Sequence, residues 1–104
     1  MTTTGLTIDR SVVEELVRLA ALEVPGVARL GSSGPAWRRW LGGSPVRVAV
    51  SGDTLSVSVR IVARPGQQLL PLSASVRAAI AGAVERIPTL ELGPVDILVD
   101  GVGA

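Results

Sequence analysis

The sequence predicts an α+β two-layer sandwich, with two amphipathic helices on one face of a small three- to four-stranded sheet. The expected order is short β, α, β-hairpin, α, β. Three patterns predict it: a helical-period apolar run over 12–20, alternating valines over 46–61, and a second helical run over 70–87 leading to an alternating strand. At 104 residues the chain fits one domain spanning 1–104.

Gly5-Leu6-Thr7-Ile8 reads as a short extended lead-in. Asp9 or Ser11 can then N-cap the first helix by accepting from an otherwise unpaired backbone N–H. If Ser11 is the cap, Glu14 takes the capping-box position. Val12, Val13, Leu16, Val17, Leu19 and Ala20 recur at helical spacing, and Arg10, Glu14, Glu15 and Arg18 hold the wet face. Pro25 biases Val24 away from the helical region, and Gly26 can adopt φ > 0, so the helix should stop there.

Val27 to Leu30 reads as a brief strand, followed by a Gly/Ser/Pro-flanked insert from Gly31 to Pro45. Val46, Val48 and Val50 then alternate with Arg47 and Ala49. Beyond Ser51-Gly52-Asp53-Thr54, Leu55, Val57, Val59 and Ile61 alternate with Ser56, Ser58 and Arg60. Pairing Val50 with Leu55, Val48 with Val57 and Val46 with Val59 puts every apolar side chain on one hairpin face. A one-residue slip would turn that face to water.

A second helix is expected from about Leu70 to Ile87, with Leu72, Val76, Ala79, Ile80, Ala83, Val84 and Ile87 on one side. Pro71 is tolerated in its first turn and Pro88 stops it. In the last strand Val95, Ile97 and Val99 alternate with Asp96, Leu98 and Asp100, and Gly101 to Ala104 reads as a frayed tail. If the helix joins parallel strands, the crossover should be right-handed.

Composition narrows the function. The chain has no Cys, His or Lys; its ten cations are all Arg, and its net charge is +1. That excludes disulfides, thiolate chemistry and zinc sites of the usual kind, and leaves a hydroxyl nucleophile without its customary base. Glu14 and Glu15 diverge on a helix, while Asp96 and Asp100 share the outer face of a strand, so an enzyme, a metal site or a cofactor is not expected. The small charge does not by itself predict a nucleic-acid or anionic-membrane partner, and nucleic acid is not the expected one. Gly31-Ser32-Ser33-Gly34 has the G-x-x-G form of a KH loop, but it follows a strand and lacks basic neighbours, so it reads as linker. No run approaches the ~20 apolar residues of a membrane span, and the start lacks a signal-peptide pattern. A cytoplasmic domain is expected, any membrane contact being peripheral.

Trp37-Arg38-Arg39-Trp40-Leu41 is the candidate contact segment. The chain's two aromatics both fall here, and in one helical turn Trp37, Trp40 and Leu41 form an apolar ridge beside two guanidinium groups. Such a ridge suits a protein partner, self-association, a membrane interface or stacking on single-stranded nucleic acid; the alternative is that both indoles cap the core. Glu23 in the last turn opposes the helix dipole, which points to an ion pair or a backbone N–H partner. Arg47 and Arg60 face outward on the hairpin.

Ala20-Ala21-Leu22-Glu23-Val24-Pro25-Gly26-Val27, preceded by Val12-Val13-Glu14-Glu15-Leu16 and followed by the valine hairpin, Val76 to Ile87, and Leu92 through Val102, resembles the alkaline shock protein family over nearly the whole chain. The motif positions are Ala20, Ala21, Glu23, Pro25, Gly26 and Val27. The resemblance implies a non-catalytic envelope-stress factor of Gram-positive bacteria that self-associates. In such a family some members are recruited by a membrane-anchored partner, and no catalytic residues are agreed. It leaves open an accessory subunit of a lipid-metabolism enzyme and, more distantly, a KH-like RNA-binding module. The insert at 31–45 departs from the family pattern.

Overall fold

In a computed structural model, which describes residues 9–31 and 44–103, Asp9 caps the first helix, its carboxylate accepting from the Ser11 N–H at 3.1 Å. That settles the choice between Asp9 and Ser11. Helix α1 spans Arg10–Leu22 and buries Val13, Val17, Ala20 and Ala21. Val12 and Leu19 were expected on the core side but lie on its flank, about half exposed. Val12 sits ~100° around the helix from Val13, outside the arc that faces the sheet.

Strand β1 (Val27–Leu30) follows, and after the insert come β2 (Val46–Ser51) and β3 (Thr54–Ala63). The hairpin register is the expected one: Val46 pairs with Val59, Val48 with Val57 and Val50 with Leu55. Ser51 also pairs with Thr54, so Gly52 and Asp53 alone make the turn, and Gly52 adopts φ 64°, a conformation that disfavours other residues. Helix α2 spans Leu69–Val84, shorter than expected at its C-terminal end, although Ile87 beyond it is still buried.

Strand β4 (Glu91–Val102) runs parallel to β3, the partner that a helical crossover requires. It is longer than the alternating pattern indicated. Gly101 and Val102 belong to it, and the Gly103 N–H donates to the Ala63 carbonyl at 2.8 Å, so the expected frayed tail is part of the sheet through Val102.

β3 is the centre of this four-stranded mixed sheet. β4 takes one of its edges, while β1 and β2 share the other, β1 against Ile61–Ala63 and β2 against Thr54–Val59. Both helices cover one face. The core joins Val13, Val17 and Ala21 of α1, Leu72, Val76, Ile80 and Val84 of α2, and Leu55, Val57, Val59 and Ile61 of β3. A dry layer of this kind is the main stabilising term of a small domain. The expected two-layer α+β architecture is the observed one. The lead-in at 5–8 lies outside the described residues.

Candidate functional site

Two regions gather the residues singled out by the sequence. The first is the turn carrying the family-like motif. Ala20 and Ala21 are buried, Glu23 is the C-cap of α1, and its N–H bonds to the Leu19 and Ala21 carbonyls. Gly26 does not adopt positive φ. Its role is space instead: a Cβ there would come within 2.7 Å of Leu72 Cδ1 and would meet the Gln67 carboxamide. The expected φ > 0 is therefore replaced by close approach of the turn to α2. Arg64, which no local motif marks, straps this turn down. Its N–H donates to the Gly26 carbonyl at 2.8 Å and its Nε to the Pro25 carbonyl at 3.1 Å. Its place at the end of β3, just before Pro65, was the available signal. Between the turn and α2 lies an open cleft of about 450 Å³, bordered by Pro25, Gly26, Gln67, Gln68 and Ser75. These offer amide and hydroxyl groups without charge. The partner expected for Glu23 is not found: its side chain is exposed and has neither an ion pair nor a hydrogen bond among the described residues. At an exposed helix end, water serves the carboxylate as well as a protein donor does.

The second region is the sheet face turned away from the helices. Arg47, Ser58 and Asp96 stand in one cross-strand row over β2, β3 and β4, with Ala49 and Ser56 on one side of it and Arg60 and Leu98 on the other. A depression of about 360 Å³ is lined by Arg47, Ala49, Ser56, Ser58 and Asp96 of the sheet together with Arg10 and Glu14 of α1. Two cations and two anions cancel, so the depression has no field to select a polyanion. Val62, on the same face, is fully buried close to Gly103.

The insert is rooted at the rim of this face. The Gly31 N–H donates to the Arg60 carbonyl at 2.9 Å, and the Arg60 N–H donates to the Pro45 carbonyl at 2.8 Å. One β3 residue thus holds both ends of the insert, and the chain leaves and rejoins the sheet edge at that point. Trp37, Arg38, Arg39, Trp40 and Leu41 lie outside the described residues, as does most of the Gly31–Gly34 loop. Among the described residues no cluster of acidic side chains is placed to hold a metal, and no helix is long and apolar enough to cross a membrane.

A two-layer α+β domain with one bare sheet face and an insert rooted at its rim is the class defined by these features. The model of the alkaline shock protein 23 family, of cell envelope-related function, matches residues 1–104, and the chain belongs to that family. Solved structures of MamM CTD variants share its fold. One has a TM-score of 0.65 at 17% identity, covering 89% of this chain and 98% of the other. A second, in a nickel form, has a TM-score of 0.63 at 17% identity, covering 88% and 96%. At such identity the likeness concerns architecture alone. No curated protein matches the sequence.

Proposed function

We propose that this chain is a non-enzymatic envelope-stress protein that self-associates and docks on a membrane-anchored protein at the inner face of the cell membrane. Trp37, Arg38, Arg39, Trp40 and Leu41 are its contact residues. The supporting observation is the root of the insert: Gly31 and Pro45 both bond to Arg60, so the chain leaves and rejoins the sheet at one residue. The sequence places its two aromatics between those two anchors, apart from the residues that form α1, α2 and the described strands. Trp and Arg together are the residue types that carry most binding energy in protein interfaces. The absence of His, Lys and Cys from the sequence supports a binding role over a catalytic one.

The test compares wild type with Trp37→Ala/Trp40→Ala in cell fractionation, with circular dichroism to check folding. The wild type should sediment with membranes yet ignore protein-free lipid vesicles, and the double variant should stay folded and move to the soluble fraction. A variant that unfolds would show that the indoles belong to the core. A folded variant that still sediments, or a wild type that binds bare vesicles equally well, would also refute the reading.

A further inference from the structure

Core-side side chains are buried along most of β2 and β3 but only half covered along β4. Val46, Val48, Leu55, Val57, Val59 and Ile61 are each 6% exposed or less. Val95, Ile97 and Val99 point into the same core from β4, yet are only partly buried. β4 is also the longest strand, with 12 residues, and among the described residues it pairs with β3 alone. A long, apolar, uncovered edge is a template for another strand.

The backbone at this edge faces outward. The Val95 carbonyl accepts from Arg77 Nη2 at 3.2 Å, so it points off the sheet. Alternate residues of a strand direct their N–H and C=O to the same side, which aims those of Ile97 and Val99 outward as well. Over the edge lies α2, whose 16 residues include a single charge, Arg77, and whose Leu70 is 86% exposed beside exposed Ala74 and Ala78. A helix apolar on nearly all sides normally has neighbours on more than one.

We propose that β4 is the seam of a homodimer in which two copies of this chain pair β4 with β4, antiparallel about Ile97, making one continuous sheet and setting the two α2 helices side by side. This deepens the reading above by assigning the self-association to a surface. The occupant is a second copy because the strand is self-complementary. About Ile97, Val95 faces the partner's Val99 and Ile97 faces its own counterpart, all β-branched residues on the core side. Asp96 then lies opposite Leu98 and Asp100 opposite Pro94. Shifting the centre to Leu98 would oppose Asp96 to Asp100, and shifting it to Asp96 would oppose that residue to itself. Like charges directly opposite are destabilising, so both neighbouring registers are disfavoured. In the single chain the Arg77 guanidinium occupies the place that the partner's Val99 N–H takes at the Val95 carbonyl. Because α2 runs against β4, with ~1.5 Å rise per residue against ~3.3 Å, Ser73 and Ala74 come nearest the two-fold axis.

Sedimentation of the full chain up to about 100 µM tests the proposal, since mass action sets the dimer fraction. The wild type should be a dimer. Ile97→Pro removes an outward N–H at an edge where proline is tolerated, and should yield a folded monomer. Ala74→Arg, on an exposed helix surface, should leave the fold intact and weaken the dimer at least about tenfold, a factor worth ~1.4 kcal/mol; it decides alone if Ile97→Pro unfolds. A wild type that stays monomeric, or a dimer indifferent to folded Ala74→Arg, overturns the seam. A monomeric wild type that still sediments with membranes removes the dimer and leaves the docking reading; a dimer that never reaches membranes does the reverse.

Discussion

Gly26→Ala probes how the motif turn is held against α2. A Cβ at this position would meet Gln67 Oε1 and lie 2.7 Å from Leu72 Cδ1. Gln67 is exposed and swings aside at little cost, but Leu72 is 3% exposed and part of the core. The turn is also held against retreat, since Arg64 bonds to the carbonyls on both Pro25 and Gly26. Leu72 must therefore yield, and overpacking of this kind costs about 1–3 kcal/mol. In a domain of this size each 1 kcal/mol shifts Tm by roughly 4–8 °C, so Gly26→Ala should melt about 5–20 °C lower. Thermal denaturation followed by circular dichroism measures it. Leu72→Val withdraws the clashing methyl at its own cost of ~1 kcal/mol. The double variant should be more stable than the two single losses added together, by about 0.5–3 kcal/mol. Strict additivity, or a Tm for Gly26→Ala indistinguishable from wild type, would refute the contact as the reason for glycine here.

Two further outcomes follow from the packing and the charges. Ile80→Ala, at a fully buried site, should lose about 2–5 kcal/mol in denaturant unfolding, whereas Leu98→Ala, 54% exposed on the bare face, should stay within about 0.5 kcal/mol; equal losses would contradict the assignment of the core to the helical side. The Arg18 guanidinium, hydrogen-bonded to Glu15 at 2.8 Å, lowers the Glu15 carboxyl below its ordinary range, so its stabilisation exists above that range and vanishes as pH falls through the lowered value. The Tm gap between wild type and Glu15→Gln should accordingly be small at neutral pH, shrink with salt and close in acid, and a gap that persists in acid would contradict the pair.

Short-range patterns were legible, and long-range proximity was not. The alternation of valines fixed which hairpin residues face each other, because a slip of one residue would expose them all. The helical runs likewise located α1 and α2, with errors at Val12, Leu19 and the end of α2, where flank and core differ by a fraction of a turn. Nothing local announced that β1 and β2 would share one edge of β3, or that Leu72 would press on Gly26 from 46 positions away. Arg64 and Arg77 were missed for the same reason: each acts on a carbonyl far along the chain, at Pro25 and Val95. For Glu23 no counter-ion stands among the described residues, and an exposed carboxylate does not require one.

The shared anchorage of Gly31 and Pro45 on Arg60 separates the length of the insert from the geometry of the sheet. Closing a longer loop between such anchors adds only ~0.6 kcal/mol per doubling. A length change between the two anchors should therefore leave the pairing of β2 with β3 in step, because that ladder begins on the far side of Pro45.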